Sequence, residues 1–275
     1  GRGTAARRRR GTIVTDEGLD AGARLLHAAW RDGGRIEHLS AETRPSTRSD
    51  GYRLQARLVA LTGDRPIGWK IAATSVAGQR HIGVTGPLAG RILASRAHRT
   101  GTTVGIATNA LRVAEAEFGF RMARAVDGVP GRDIEVASVL EAVEALVPAI
   151  ELPDARFLDV PNAGEAQLIA DLACAGPVVL GTDAPESWRT LDLASHEVAV
   201  SCNGAIVATG RGANALGDPS IALAWLATEL VRHGYRLEAG DLVITGTCVV
   251  PVPVVEGQEV VVDFGALGTV SATTA

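Results

Sequence analysis

Among the 27 basic residues of this chain, all but one are arginine; the exception is Lys70, in Ile67-Gly68-Trp69-Lys70-Ile71-Ala72-Ala73-Thr74-Ser75. Either cation can supply surface charge, but only one can readily exchange a proton. Guanidinium stays charged at any working pH, whereas an ammonium shifts toward neutrality with burial or cationic neighbours. Taken alone, Lys70 is equally well read as a leftover solvated lysine. Its place between Trp69 and Ile71, in an apolar strand-like run, favours chemistry. The carboxylates are the second signal. Read as a strand, residues 111–120 set Glu115 and Glu117 on one face, about 6–7 Å apart at the backbone. Read as a helix, the same segment separates them by about 200°, as two exposed acids. Glu151 lies in Val147-Pro148-Ala149-Ile150-Glu151-Leu152-Pro153, an apolar run in which an unpaired buried carboxylate is costly. If the three meet, like charges about 4 Å apart repel by about 4 kcal/mol per pair at an effective dielectric near 20. Such a cluster needs a cation, and all-oxygen donors favour Mg²⁺ or Mn²⁺ over zinc.

Other polar candidates are weaker. His81 follows the lysine segment and could line a pocket; His27, His38, His98, His196 and His233 read as surface or element-end residues. Arg156 follows Glu151 closely and could pair with a carboxylate or hold a substrate. No Gly-x-Ser-x-Gly elbow is present, which argues against a serine hydrolase. The Gly210-Arg211-Gly212 run lacks both the dinucleotide fingerprint and a Walker lysine.

The elements that must position these residues fall into two parts. One helix is predicted from Asp16, as N-cap, to Asp32, with Leu19, Ala23, Leu26 and Trp30 on one face and Gly33-Gly34 as its stop. A second spans Ser49 to Leu61. Residues 16–65 therefore form a helical section, and residues 66–275 a β-rich catalytic domain. Within the latter, helices are expected at Ala137 to Leu146, Gly164 to Cys174 and Ser220 to His233. A hairpin is expected around Asn203-Gly204, with further strands at Leu242 to Thr245 and Val260 to Phe264. Pairing reads as mostly local, which disfavours a Rossmann or barrel arrangement.

Composition sets the class. The chain has 275 residues, 46% of them apolar, and a formal net charge of −4, which suits a globular protein and argues against nucleic acid as a partner. Cys174, Cys202 and Cys248 show no Cys-x-x-Cys spacing and read as buried thiols of a cytoplasmic protein. The arginine-rich start reads as a disordered basic tail over residues 1–15, too polar for a signal segment. No stretch is long enough to span a membrane.

The motifs, taken in order, resemble the hydratase and decarboxylase branch of the fumarylacetoacetate hydrolase superfamily from about Ala21 to the C-terminus. Gly68-Trp69-Lys70-Ile71 with Thr74-Ser75 and Gln79 is similar to the family's lysine segment. Glu115-x-Glu117 is similar to its metal-binding pair, and Pro148-Ala149-Ile150-Glu151 to the segment of its third metal carboxylate. Asp171-Leu172-Ala173-Cys174, Asn203-Gly204, Leu216-Gly217-Asp218-Pro219, Gly240-Asp241, Thr245-Gly246-Thr247 and Leu267-Gly268-Thr269-Val270 follow in the family order. The resemblance implies an α+β fold, a mixed β-sandwich roll with an N-terminal helical section. It implies a homo-oligomeric, metal-dependent lyase that hydrates a small 2-hydroxy-2,4-dienoate or 2-oxo acid. A 4-oxalocrotonate-type decarboxylase, an acylpyruvate hydrolase and a non-catalytic metabolite-binding protein are the rivals. Mg²⁺ or Mn²⁺ would sit on Glu115, Glu117 and Glu151, and Lys70 would move a proton, a Schiff base being its competing role. Thr247 would either donate to the substrate carboxylate or satisfy its own backbone turn. Two departures stand out: Leu88 and Leu172 occupy positions where the branch usually has Asp and Asn, so the metal platform is kept while the usual proton relay is incomplete.

Overall fold

The computed structural model describes residues 14–275; the expected basic tail lies outside the described residues except for Val14 and Thr15. Helix α1 (Asp16–Asp32) is capped by Thr15, whose side chain accepts from the Gly18 N–H. The cap is therefore one residue earlier than expected, and Asp16 serves as a first-turn acid near the positive end of the helix dipole. Gly33 ends the helix with φ 65°. Leu19, Ala23 and Leu26 are buried, as their spacing predicts, while Trp30 stays half-buried. Helix α2 (Arg48–Thr62) is capped by Thr47 and stopped by Gly63 at φ 65°.

The strands, in chain order, are β1 (Pro66–Ala72), β2 (Leu88–Leu93), β3 (Ala97–Arg99), β4 (Thr102–Val104), β5 (Val113–Met122), β6 (Val143–Glu151) and β7 (Val178–Leu180). They continue with β8 (Glu197–Cys202), β9 (Ala205–Arg211), β10 (Leu242–Thr247), β11 (Val252–Pro253), β12 (Glu259–Asp263) and β13 (Thr269–Thr274). One mixed sheet runs β2-β1-β10-β5-β6-β7-β3, with β11 pairing on β5; a second runs β4-β13-β12-β8-β9. With the two N-terminal helices this is the α+β roll that the sequence implied. A single large apolar cluster joins α1 and α2 to both sheets.

The expectation of local pairing needs correction. Neighbours such as β5 and β6 or β8 and β9 do pair. Yet β10 inserts between β1 and β5, parallel to the first and antiparallel to the second, and β3 and β4 pair in parallel with β7 and β13. The helix expected over Ala137 to Leu146 is only α4 across the short stretch Val136–Leu140; from Val143 the chain is strand β6. That strand is buried at nearly every position, and a continuous apolar run carries no period to separate buried strand from buried helix. The helix expected over Gly164 to Cys174 is likewise shorter. The turns α3 (Val76–His81) and α5 (Val160–Ala163) were not anticipated, and α6 covers only Glu165–Ala170. Beyond α6, Leu172, Ala173 and Cys174 all have left-handed φ, 54°, 50° and 61°. Helix α7 (Pro219–Arg232) falls where expected, and all three cysteines are free and buried. No helix among the described residues is long and apolar enough to cross a membrane.

Candidate metal centre

Antiparallel pairing of β5 with β6 sets Glu115 opposite Glu151. Glu117, two residues on, faces the same side, between Ala149 of β6 and Thr247 of β10. The three side chains bring carboxylate oxygens within 4.8 Å of one another. Glu117 and Glu151 are fully buried and Glu115 is half-buried. The Gly246 N–H donates to Glu117 Oε2 at 2.6 Å, and the Gly176 N–H to Glu151 Oε1 at 3.3 Å. Lys70 Nζ lies 3.1 Å from Glu151 Oε2 and donates to the Ala173 carbonyl at 3.1 Å.

Charge does not balance here. Three carboxylates face one ammonium in a water-poor environment. Burial pushes the Glu115 carboxyl up to about 7, with Glu151 adding to the rise and Lys70 opposing it. Burial also lifts Glu117 well above the ordinary range, reinforced by Glu151 and Glu115 and opposed by Lys70 and the Gly246 N–H. For Lys70, burial favours the neutral amine, but Glu151, Glu115 and Glu117 outweigh it and hold the ammonium above its usual value. Glu117 Oε1 and Glu151 Oε2 are buried without a hydrogen-bond donor; the lysine approaches the latter as an ion pair only. Orphaned carboxylate oxygens in a cluster of hard donors are what a divalent cation would satisfy. The residues present fit Mg²⁺ or Mn²⁺.

Backbone conformation brings Lys70 to this cluster. In the β1–β2 register Lys70 lies opposite Gly90, where a Cβ would come within 1.7 Å of the Leu172 carbonyl oxygen. Only glycine there lets the left-handed turn at 172–174 close over β2, and that turn aims the Ala173 carbonyl at Nζ. On the other side, Gly246 has φ 91°, and a Cβ would lie 2.2 Å from Thr74 Oγ1. Its glycine identity therefore allows the amide to reach Glu117.

The turn is anchored by a buried pair. Asp171, fully buried, accepts from Arg156 Nε at 2.7 Å, from the Arg156 N–H at 2.8 Å and from Trp30 Nε1 at 3.4 Å. The Arg156 guanidinium also stacks 4.4 Å from the Trp30 ring centre. Of the two roles read for Arg156, carboxylate pairing is the one with geometry behind it. Thr247 Oγ1 donates to the Val249 carbonyl at 2.8 Å and accepts from its N–H at 3.3 Å, the backbone-satisfying alternative. His81 sits exposed at the end of α3, and Leu88 and Leu172 are fully buried in the apolar core. His196 and His233 are not free surface residues: His196 Nε2 is 2.6 Å from the Phe264 carbonyl, and His233 Nε2 is 3.3 Å from Glu229. The contacts that sequence reasoning missed, at Gly246, Gly176 and Ala173, are main-chain groups whose only trace in the sequence is glycine placement.

Comparison with known proteins agrees with this geometry. Residues 88–275 match the family described as fumarylacetoacetate (FAA) hydrolase, C-terminal. The chain is 33% identical over 237 residues to a 2-keto-4-pentenoate hydratase of Paraburkholderia xenovorans (strain LB400), covering 85% of this chain and 86% of that one. It is 33% identical over 261 residues to 2-keto-4-pentenoate hydratase 1 of Dechloromonas aromatica (strain RCB), covering 92% and 95%. Among solved structures, 4-oxalocrotonate decarboxylase from Pseudomonas putida G7, complexed with magnesium and adipate, superposes with a TM-score of 0.86 at 26% identity, covering 96% of this chain and 99% of that chain. The chain belongs to the fumarylacetoacetate hydrolase family.

Proposed function

We propose that this protein is a metal-dependent carbon–oxygen lyase that adds water across a double bond of a small 2-hydroxy-2,4-dienoate. The observation that carries this reading is the buried Glu115, Glu117 and Glu151 cluster with the chain's only lysine ion-paired at its edge. Glu115, Glu117 and Glu151 would hold Mg²⁺ or Mn²⁺, which when bound supplies Lewis-acid stabilisation to the enolate of a 2-oxo acid. Hydration places OH on one carbon of the double bond and a proton on the other. Lys70, fixed between Glu151 and the Ala173 carbonyl, is the group proposed to carry that proton. Thr247, His81 and Arg156 were the substrate-contact candidates. The Thr247 hydroxyl proton is taken by the Val249 carbonyl, His81 is exposed, and Arg156 is reassigned to support of the turn.

A second reading, decarboxylation of a 4-oxalocrotonate-like diacid, is favoured by the structural match and by Leu88 and Leu172, which leave Lys70 without a polar side-chain relay other than Glu151 among the described residues. Purified protein assayed with 2-hydroxypentadienoate, 4-oxalocrotonate and an acylpyruvate, with Mg²⁺ and with chelator, separates the possibilities. Turnover of the first supports hydration, and turnover of the second the decarboxylase. Chelator-insensitive behaviour with no turnover of any of the three removes the lyase reading. A cytoplasmic homo-oligomer is part of the same proposal: edge strand β9 exposes Ile206 and Val207, and sedimentation as a monomer would count against it.

A further inference from the structure

Strand β1 has two faces, and the metal centre uses only one. Side chains alternate along a strand, so Trp69 projects away from the side served by Lys70. In the register of β1 with β2, Trp69 lies directly opposite Arg91, and the guanidinium carbon sits 3.7 Å from the centre of the indole ring. Three other arginines drawn into the protein each meet a carboxylate, Arg156 with Asp171, Arg48 with Glu229 and Arg35 with Asp154, while Arg96 rests on the Trp30 ring without one. Arg91 has no carboxylate within ion-pair distance and no hydrogen-bond acceptor among the described residues. Burial holds its guanidinium below its usual value, and the more distant Asp241, Tyr235 and Glu238 do not restore it. The indole Nε1 of Trp69 is also buried without an acceptor. A buried donor without an acceptor, beside a half-buried guanidinium without a carboxylate, departs from the rule that buried polar groups are paired.

Beside them is a cavity of about 130 Å³, lined by Tyr52, Gln55, Val59, Trp69, Arg91 and Tyr235 among others. Its walls are largely aromatic and aliphatic. Tyr235 meets Trp69 edge-on with ring centres 6.0 Å apart, and its hydroxyl is occupied by the Tyr52 carbonyl at 3.3 Å. The volume is close to that of an apolar cavity that accepts benzene, about 150 Å³. With one face of the guanidinium covered by indole, its N–H groups project edgewise, the geometry that takes a carboxylate bidentately. A phosphate would need several further donors, which this apolar lining does not offer.

We infer that the cavity behind Trp69 is a second binding site, separate from the metal centre, for a small carboxylate with a flat apolar body. The carboxylate pairs with Arg91 and the body lies against Trp69 and Tyr235. The inference does not depend on the reaction proposed above. It is tested with benzoate on the full chain, by calorimetric titration and tryptophan fluorescence, in chelator and again in Mg²⁺. Saturable one-to-one binding is expected in both. Arg91→Gln should weaken it by about tenfold or more, the loss of one charge-assisted pair, and benzyl alcohol should bind wild type weaker by a similar factor. Val59→Trp keeps the charge and fills the cavity, and should abolish binding even if Arg91→Gln folds poorly. No saturable benzoate binding at millimolar concentration overturns the inference. So does benzoate binding that requires Mg²⁺, or binding unchanged in a folded Arg91→Gln or Val59→Trp protein.

Discussion

Among the turns that hold non-glycine residues at positive φ, two do so for opposite reasons. The β8–β9 hairpin turns at Asn203 and Gly204, with φ 48° and 81°. Asn tolerates the left-handed region and Gly has no penalty there, so the turn's conformation is written in its own two residues, and Asn203 adds a pair of hydrogen bonds with the Glu259 backbone. The other turn runs through Leu172, Ala173 and Cys174, all left-handed and all buried. Nothing local favours that conformation; each such residue costs on the order of 1–2 kcal/mol. It persists because the Asp171–Arg156 pair fixes its entry and Gly90 leaves room for its carbonyls. Strain held by distant residues is typical of functional sites, and this turn's product is one carbonyl placed 3.1 Å from Lys70 Nζ.

The largest effect is therefore expected at the atom the strained turn serves. If Lys70 transfers a proton, Lys70→Ala and Lys70→Arg should each lower turnover by about 10²–10⁴-fold, with Mg²⁺ affinity retained. Without a cation the carboxylates hold Lys70 as the ammonium; a bound divalent ion would offset them, and arginine, unlike lysine, would still release no proton near neutral pH. A Lys70→Arg protein retaining most of the wild-type turnover would reduce the lysine to a counter-charge for Glu151.

Next in size is the anchor. Asp171→Asn keeps the shape but leaves the buried Arg156 guanidinium only the 3.5 Å contact with Asp154, and losing the main partner of a buried pair costs on the order of 3–5 kcal/mol. At about 2–4 °C per kcal/mol for chains of this size, melting should fall by about 10 °C, and turnover should fall with it. Asn203→Ala at the hairpin should cost about 1–2 kcal/mol and leave turnover unchanged. Equal effects of the two substitutions on melting would erase the distinction between locally written and tertiary turns.

The same distinction explains what was legible beforehand. The two N-terminal helices with their glycine stops, the Asn-Gly hairpin and, on the strand reading, the shared face of Glu115 and Glu117 follow from rules spanning a few residues, and they were readable; the caps were not. The family order of motifs carried the fold and the glutamate set. What could not be read was set by contacts far apart in sequence. The helix expected across Gly164 to Cys174 ends at Ala170 because Asp171 is claimed by Arg156 and Trp30. Strand β6 looked partly helical because burial on both faces removed its period. The insertion of β10 between β1 and β5 has no local signature, although it is what brings the Gly246 amide to Glu117.

Metal removal and pH sharpen the contrast from the electrostatic side. Burial holds the folded Glu115 carboxyl up at about 7 instead of 4.5. Between those values the folded protein holds a proton that the unfolded chain has released. Its contribution to stability therefore falls as pH rises through the window, and the full penalty is present above 7. At 1.36 kcal/mol per unit the penalty is on the order of 3 kcal/mol. In chelator, wild type should lose stability relative to Glu115→Gln on going from pH 5 to pH 8, and Mg²⁺ should restore wild type at pH 8. Denaturation curves with identical pH slopes for the two proteins, and no response to Mg²⁺, would remove the cluster as a cation site.

The smallest expected effect tests the strain itself. Ala173→Gly removes the left-handed penalty of about 1–2 kcal/mol, but adds about 0.5–1 kcal/mol of unfolded-chain entropy. It also deletes a fully buried methyl group. The terms nearly cancel, so stability should stay within about 1 kcal/mol of wild type. Ala173→Val is the opposite case: a β-branched residue is a poor fit at φ 50°, and it should be clearly destabilising. Turnover separates strain from packing. If the turn is strained in order to aim its carbonyl, the glycine variant should melt like wild type yet turn over more slowly, because a freer peptide no longer presets the partner of Lys70. A glycine variant that loses more than about 2 kcal/mol would show that the alanine methyl, and not the backbone conformation, is what the core requires at this position.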